Sequence, residues 1–312
     1  MSKIFRGAVV STTMLAALAG HGVSQAEVVY GITVPGATTN LVTFDTSAVN
    51  AVTTIGNITG LTAGHTLRGV DFRPSDGKLY GLSASSTTQA QLYTINLETG
   101  AATPVGGLIA LTGNASSRVS LDFNPVTDAL RVVTGSGQSY RVNATTGTLI
   151  AQDTNISGNP LISGIAYTNN FVGATQTTLY AYDFLLDNLG TIGGINGVPS
   201  PNLGLFSTIG NSGIVSGDAG SGFDISGLTG DAYFSADDFN GSPGVNAEFF
   251  RVNLATGAFT QLSNDEFTSL LDFSVAIAQP VSVPEPASAA LVLGAALGLM
   301  AVGVRRSRKV VI

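Results

Sequence analysis

Any chemistry done by this chain has to be done by carboxylates. There is no cysteine, and of the two histidines only His65, in the loop "LTAGHTLRG", lies outside the apolar N-terminal segment. A single imidazole cannot build a His-centred metal site, and His65 reads as a solvated loop residue. Serines are plentiful, but none sits in a G-x-S-x-G turn and no second base completes a triad. Aspartates, by contrast, recur as Asp71, Asp122, Asp224 and Asp272, and they crowd the stretch "SGDAGSGFDISGLTGDAYFSADDFNGSPG" from Ser216, which adds Asp218, Asp231, Asp237 and Asp238. Two or more carboxylates at set distances hydrolyse glycosides. Oxygen-rich glycine loops hold hard cations such as calcium, although the D-x-D-x-D-G order of a dedicated calcium loop is missing.

Repetition points the first four aspartates toward scaffolding. "GVDFRPSDGKLYGLS" from Gly69 and "SLDFNPVTDALRVVT" from Ser120 share one order: apolar, Asp, Phe, polar, Pro, turn, alternating strand. The motif places Asp71, Asp122, Ala166, Asp224 and Asp272 at matching positions, 51, 44, 58 and 48 residues apart. What every repeat carries is usually what every repeat needs to fold. The flanking Val70 and Phe72 face the other way, so each Asp is expected to bond a neighbouring backbone. A carboxylate ring lining a central channel and holding a cation is the alternative.

A second element follows the first: "LYTINLETGAATPVG", "YRVNATTGTLIAQ" and "FRVNLATGAFTQLS". In each, an Asn (Asn96, Asn143, Asn253) precedes a Gly (Gly100, Gly147, Gly257) by four residues. The Asn side chain starts a turn by bonding its own backbone, and Gly supplies a positive φ between antiparallel strands. The third repeat, in "TLYAYDFLLDNLGTIG", lacks the turn glycine. Strands "VVYGIT", "NLVTFDTS" and "AVTTIG" near the start want a first strand, and "SLLDFSVAI" near residue 277 is a first strand without followers. The spacing predicts an all-β propeller of five four-stranded blades over 27–278, closed by strands from both ends.

The ends have their own logic. Residues 1–26 carry Lys3 and Arg6, an apolar run from Ala8 to Ala19, and small residues at Ser24 and Ala26, which predicts a signal peptide cut after Ala26. At the other end a linker, 279–286, is followed by 18 uncharged residues, 287–304. As a helix these span about 27 Å, enough to cross a bilayer. The basic tail 305–312 then marks the cytoplasmic side. Pro284, Glu285 and Pro286, the apolar helix, and Arg305 and Arg306 together resemble a PEP-CTERM sorting signal. That resemblance implies a Gram-negative bacterium making exopolysaccharide and an exosortase-type membrane transpeptidase as partner. It also implies inner-membrane anchoring through the tail with the body in the periplasm, then display at the cell surface or in the matrix. A plain uncleaved anchor is the alternative.

The body, through "LRGVDFRPSDGKLYGL", "LDFNPVTDALRVVTGSGQSYRVNATTG" and "IAYTNNFVGATQTTLYAYD", resembles the uncharacterised domain of unknown function 4394 family, whose members are expected to be β-propellers. The resemblance brings no activity with it.

Charge narrows the partners. Between residues 27 and 283, 19 acidic and 7 basic residues leave −12, so nucleic acid is not expected as a partner. Tryptophan, the best platform for a sugar face, is absent, and most tyrosines lie in repeated strands. Tyr167, with Asn169 and Asn170, is the one polar aromatic cluster outside that pattern. The expectation is a non-enzymatic surface or matrix protein, with no cofactor unless calcium binds, that binds or organises exopolysaccharide. The alternative is a propeller glycoside hydrolase or lyase acting on that polymer.

Overall fold

The computed structural model describes residues 26–33, 38–85, 88–111, 118–214, 216–238, 247–263 and 267–277, with backbone alone for 216–220 and 237–238. The sorting motif, the 287–304 segment, the basic tail and the N-terminal apolar run therefore lie outside the described residues. Among the described residues no helix is long and apolar enough to cross a membrane.

Among the described residues, twenty strands form five antiparallel four-stranded sheets. Blade 1 combines β20 (Leu270–Val275) with β1 (Val28–Thr33), β2 (Asn40–Asp45) and β3 (Thr53–Asn57), so both ends of the chain close the ring. Blade 2 is β4 (Thr66–Phe72), β5 (Leu79–Ala84), β6 (Gln89–Ile95) and β7 (Ala102–Ala110). Blade 3 is β8 (Val119–Asn124), β9 (Ala129–Thr134), β10 (Ser139–Asn143) and β11 (Thr148–Gln152). Blade 4 is β12 (Ile162–Tyr167), β13 (Leu179–Asp183), β14 (Asn188–Ile192) and β15 (Phe206–Asn211). Blade 5 is β16 (Ser216–Ile225), β17 (Ala232–Asp238), β18 (Glu248–Val252) and β19 (Phe259–Gln261). The five first strands, β20, β4, β8, β12 and β16, pack side by side around the axis. Strands β8, β9 and β12 are buried on both faces, except for the last residue of β8, because each sheet is covered by its two neighbours. The fourth strands form the exposed rim.

The turns follow the sequence closely. Asn96 Oδ1 accepts the amides of Glu98 and Thr99, Asn143 those of Thr145 and Thr146, and Asn253 those of Ala255 and Thr256. Gly100, Gly147 and Gly257 follow at φ 75°, 66° and 82°. Gly147 has a second constraint, since a Cβ there would lie 2.0 Å from the Val105 carbonyl oxygen of blade 2. The turn is therefore also a contact between blades.

"TLYAYDFLLDNLGTIG" departs from the pattern because it supplies the second and third strands of its blade, not the third and fourth. Asp187, at φ 52°, takes the left-handed place in that turn. The fourth strand, β15, follows only after residues 193–205, which carry two short 3₁₀ turns, Ile195–Gly197 and Pro201–Leu203.

Pairing also corrects the repeat register. Asp71 lies opposite Tyr80, Asp122 opposite Arg131, Ala166 opposite Tyr180 and Asp224 opposite Tyr233. In blade 1 the residue opposite Tyr30 is Ser274, so Ser274 and not Asp272 is the fifth member of the series. Asp272 stands two residues earlier on the strand, where blades 2 and 5 have Gly69 and Gly222. A Cβ at Gly69 would lie 2.5 Å from Asp272 Oδ2, so glycine there leaves room for the carboxylate.

Candidate functional site

Around the axis the carboxylates join one blade to the next. Asp71 Oδ2 accepts the Phe123 amide at 2.7 Å, Asp122 Oδ1 the Tyr167 amide at 3.2 Å, and Asp224 Oδ2 the Val275 amide at 2.6 Å. Ser274 Oγ accepts the Phe72 amide at 3.2 Å, and Asp272 Oδ2 that of Val70 at 2.9 Å. Blade 4 has Ala166 in the series and cannot reach forward, so the Ile225 amide is taken by Asp224 Oδ1 of its own blade at 2.6 Å.

Asp71, Asp122 and Asp224 each bring an oxygen within 4.8 Å of the others, and all three are buried. At an effective dielectric of about 20, two charges so placed repel by roughly 3.5 kcal/mol. Burial, followed by the Asp224 charge for Asp71 and by the Asp71 charge for Asp122, pushes both far above the usual carboxylate range. Burial raises Asp272 strongly too, and raises Asp224 to about 6 against the bonds it accepts. Hydrogen counting agrees: Ser274 Oγ lies 2.8 Å from both Asp71 Oδ1 and Asp224 Oδ2. One hydroxyl proton serves one of these contacts, so the other needs a protonated carboxyl. As a cation cage the triad is short of ligands, because calcium takes six to eight oxygens and most of these already accept from protein donors. The arrangement fits a shared proton and a structural role.

The acidic stretch from Ser216 is no loop: most of it forms β16 and β17, with Ser216 opposite Asp238. Asp231 precedes β17 and pairs with Arg251. Asp237 lies six residues further along, about 20 Å at ~3.3 Å per strand residue, so Asp231 cannot share an ion with Asp237 or Asp238. The side chains of Asp218, Asp237 and Asp238 lie outside the described residues. His65 is tied down, with Nδ1 3.0 Å from the buried Ser83 Oγ.

A different place stands out. Where four blades carry Tyr30, Tyr80, Tyr180 or Tyr233 on the second strand, blade 3 carries Arg131, which is 1% exposed. Its Nε donates to Tyr167 Oη at 2.8 Å, Nη1 to Ser139 Oγ at 2.6 Å and Asp153 Oδ2 at 3.1 Å, and Nη2 to Asn202 Oδ1 at 2.5 Å. Asp153 also accepts a two-pronged pair from Arg141, through Nε and Nη2, both at 2.9 Å. A cleft of about 230 Å³ opens over this network between blades 3 and 4. Asn124, Thr127, Gln176, Thr177 and Asn196 line it beside both arginines, and among the described residues no carboxylate does.

Two irregular connections build the walls. Residues 168–178 supply Thr175 to Thr177, and residues 193–205 supply Asn196 to Asn202. The second is pinned across the seam, since Thr154 donates to the Asn202 carbonyl at 3.2 Å and Ser157 to that of Gly204 at 2.7 Å. Of the polar cluster singled out in sequence, Tyr167 lies in the cleft. Asn169 shapes the first connection by donating to the Gln176 carbonyl at 2.9 Å, and Asn170 is buried beside Gly227. The sequence alone does not single out Arg131, Arg141 or Asn202. Arg131 had a signal: "ALRVVT" puts Arg where "KLYGLS" and "TLYAYD" put Tyr. Asn202 had none.

Five four-stranded blades, joined around the axis by repeated buried carboxylates and broken at one seam by a polar cleft, define a five-bladed β-propeller. This propeller is a member of the family defined by a domain of unknown function, DUF4394, whose profile matches residues 40–272. No curated protein matches the chain. Among solved structures it is similar to a protein of unknown function from Bacteroides thetaiotaomicron, at 12% identity and a TM-score of 0.45, over 80% of this chain and 64% of that one. It is also similar to the WD40 domain of Toxoplasma gondii coronin, at 12% identity and a TM-score of 0.39, over 78% and 58%. The chain thus spans less than two thirds of either structure.

Proposed function

We propose that this propeller is an exported, non-enzymatic surface protein that binds exopolysaccharide through the cleft between blades 3 and 4. In this reading residues 1–26 direct export and are cut after Ala26. The tail is then recognised by an exosortase-type transpeptidase, and the body ends at the cell surface or in the matrix. The observation that carries the binding role is the cleft itself: amide, hydroxyl and guanidinium donors gathered at one seam, on a scaffold whose repeated carboxylates are all consumed internally. Such donors match a polyol surface, and the buried Arg131, Tyr167 and Thr177 give them a fixed floor, while Thr127, Gln176 and Asn196 stand exposed to an incoming ligand.

Glu27 supports the expected cut. Its carboxylate is buried and accepts from Ser226, Thr229 and Tyr233, and its backbone nitrogen donates to Thr46 Oγ1 at 3.0 Å. The first residue after the cut is thus the first one locked into the ring. A new α-ammonium at Glu27 keeps the Thr46 bond. The hydrolase alternative draws no support from the repeated aspartates, which are buried and bonded to scaffold amides.

The test incubates the purified full-length protein with exopolysaccharide from its source bacterium, following co-sedimentation and new reducing ends together. Co-sedimentation without new ends is expected. Release of new ends would overturn the non-enzymatic reading, and failure to sediment would overturn the binding role.

A further inference from the structure

We propose that the cleft between blades 3 and 4 is specific for a carboxylate-bearing sugar unit, which Arg141 engages directly while Arg131 and Asp153 hold Arg141 in place. This inference rests on the binding role proposed above and names the ligand class.

Charge is the first argument. Two guanidinium groups face one carboxylate, leaving a local +1 in a body of −12 between residues 27 and 283. Asp153 is 5% exposed at its side chain and sits behind the arginines, not among the lining residues. An incoming ligand therefore meets the Arg141 guanidinium before any carboxylate.

Donor accounting is the second. Arg141 uses Nε and Nη2 on Asp153, and its side chain remains 29% exposed with Nη1 uncommitted among the described contacts. A guanidinium held along one edge presents its other donors in a fixed plane, the geometry that a carboxylate accepts in two-pronged fashion. The neutral groups around it, Thr127, Gln176, Thr177 and Asn196, suit ring hydroxyls. At ~30 Å³ per water, a cleft of about 230 Å³ holds roughly eight waters, room for one sugar ring.

The third argument is coincidence of departures. Arg131 replaces the repeat's tyrosine, 168–178 lengthens the first connection of blade 4, and 193–205 lengthens its third. All three converge on this cleft, and local departures from a consistent repeat concentrate where function needs them.

The test titrates the full-length protein with methyl glucuronide, methyl glucoside and inorganic phosphate by calorimetry, and compares sedimentation with polygalacturonate and with dextran. Methyl glucuronide is expected to bind at least tenfold more tightly than the glucoside or phosphate. Arg141→Gln should remove that preference, Gln176→Ala should weaken both sugars, and Arg251→Gln in blade 5 should change nothing. Melting curves establish that each variant folds. Equal affinity for glucuronide and glucoside, tighter binding of phosphate, or an Arg141→Gln protein that keeps the preference would each overturn the inference. Equal sedimentation with dextran and polygalacturonate would overturn it while leaving polymer binding standing. Tight glucuronide binding with neither polymer sedimenting would support the site, as one for a free sugar acid, and overturn the polymer role.

Discussion

The seam between blades 2 and 3 and the seam between blades 3 and 4 begin from the same repeat and end differently. At the first, Tyr80 packs edge-on against Phe123 at 5.3 Å between ring centroids, in a core that also holds Leu82, Leu92, Val132 and Tyr140. At the second, Arg131 takes the place of the tyrosine, and the core beneath is aliphatic apart from Tyr167 and the half-buried Phe206 at its edge. One seam is closed by an aromatic wedge, capped at its edge by the Arg73–Asp128 pair, and the other by a buried guanidinium network under an open cleft. Both keep the inner aspartate bond to the next blade, from Asp71 and Asp122 respectively. The axis therefore does the joining, and the outer part of a seam is free to specialise.

The largest expected effect probes the odd seam. Arg131→Met strands Ser139, Asn202 and Tyr167 and removes one of the two partners of Asp153. Breaking such a buried pair costs about 3–5 kcal/mol. Tyr80→Phe, at the matching position of blade 2, loses only bonds to Arg73 and Asp76 and should cost about 1 kcal/mol. Chemical denaturation measures both, and equal costs would erase the distinction between the seams.

Next comes the shared joint. Asp71→Ala leaves the buried Phe123 amide without an acceptor and should cost about 1–3 kcal/mol. Asp71→Asn keeps an acceptor and removes a charge from the crowded triad. At neutral pH its melting temperature should match or exceed that of the parent, and a loss as large as alanine's would argue against a shared proton.

A smaller effect is pH dependence. The folded state raises the pKa of Asp224 from 3.8 to about 6 and raises Asp71, Asp122 and Asp272 as well, so between about pH 4 and 6 it binds more protons than the unfolded chain. Stability from this cluster is therefore greatest near pH 4 and declines as pH rises through that window. Melting followed from pH 4 to 7 should show the decline, and Asp71→Asn should flatten it. The smallest expected effect is that of calcium: at neutral pH neither calcium nor chelator should move the melting temperature. A rise with calcium that Asp71→Asn abolishes would mean that a cation, and not a proton, neutralises these carboxylates.

How much of this was legible in sequence differs between the same two seams. Five blades and their closure by both ends could be read because alternating strands and Asn-x-x-x-Gly turns are local signals. The register of the last strand was misread, because "LDF" recurs at Leu271–Phe273 two residues early. Only the pairing of Tyr30 with Ser274 reveals the shift. The acidic stretch passed for a loop because Gly and Asp are poor strand residues, whereas pairing between β16 and β17 overrides that preference. Arg131 was visible as the odd member of a tyrosine series. Its partner Asn202 was not, since it reaches the cleft on an irregular connection whose path follows from tertiary contacts.

Arg131→Tyr tests the central claim most directly, by writing the repeat's own residue into the odd seam. Its readouts are co-sedimentation with exopolysaccharide and a thermal melt of the same sample. The account predicts a cooperative melt at lower temperature and no sedimentation with polymer. A folded Arg131→Tyr protein that sediments as the parent does would contradict it.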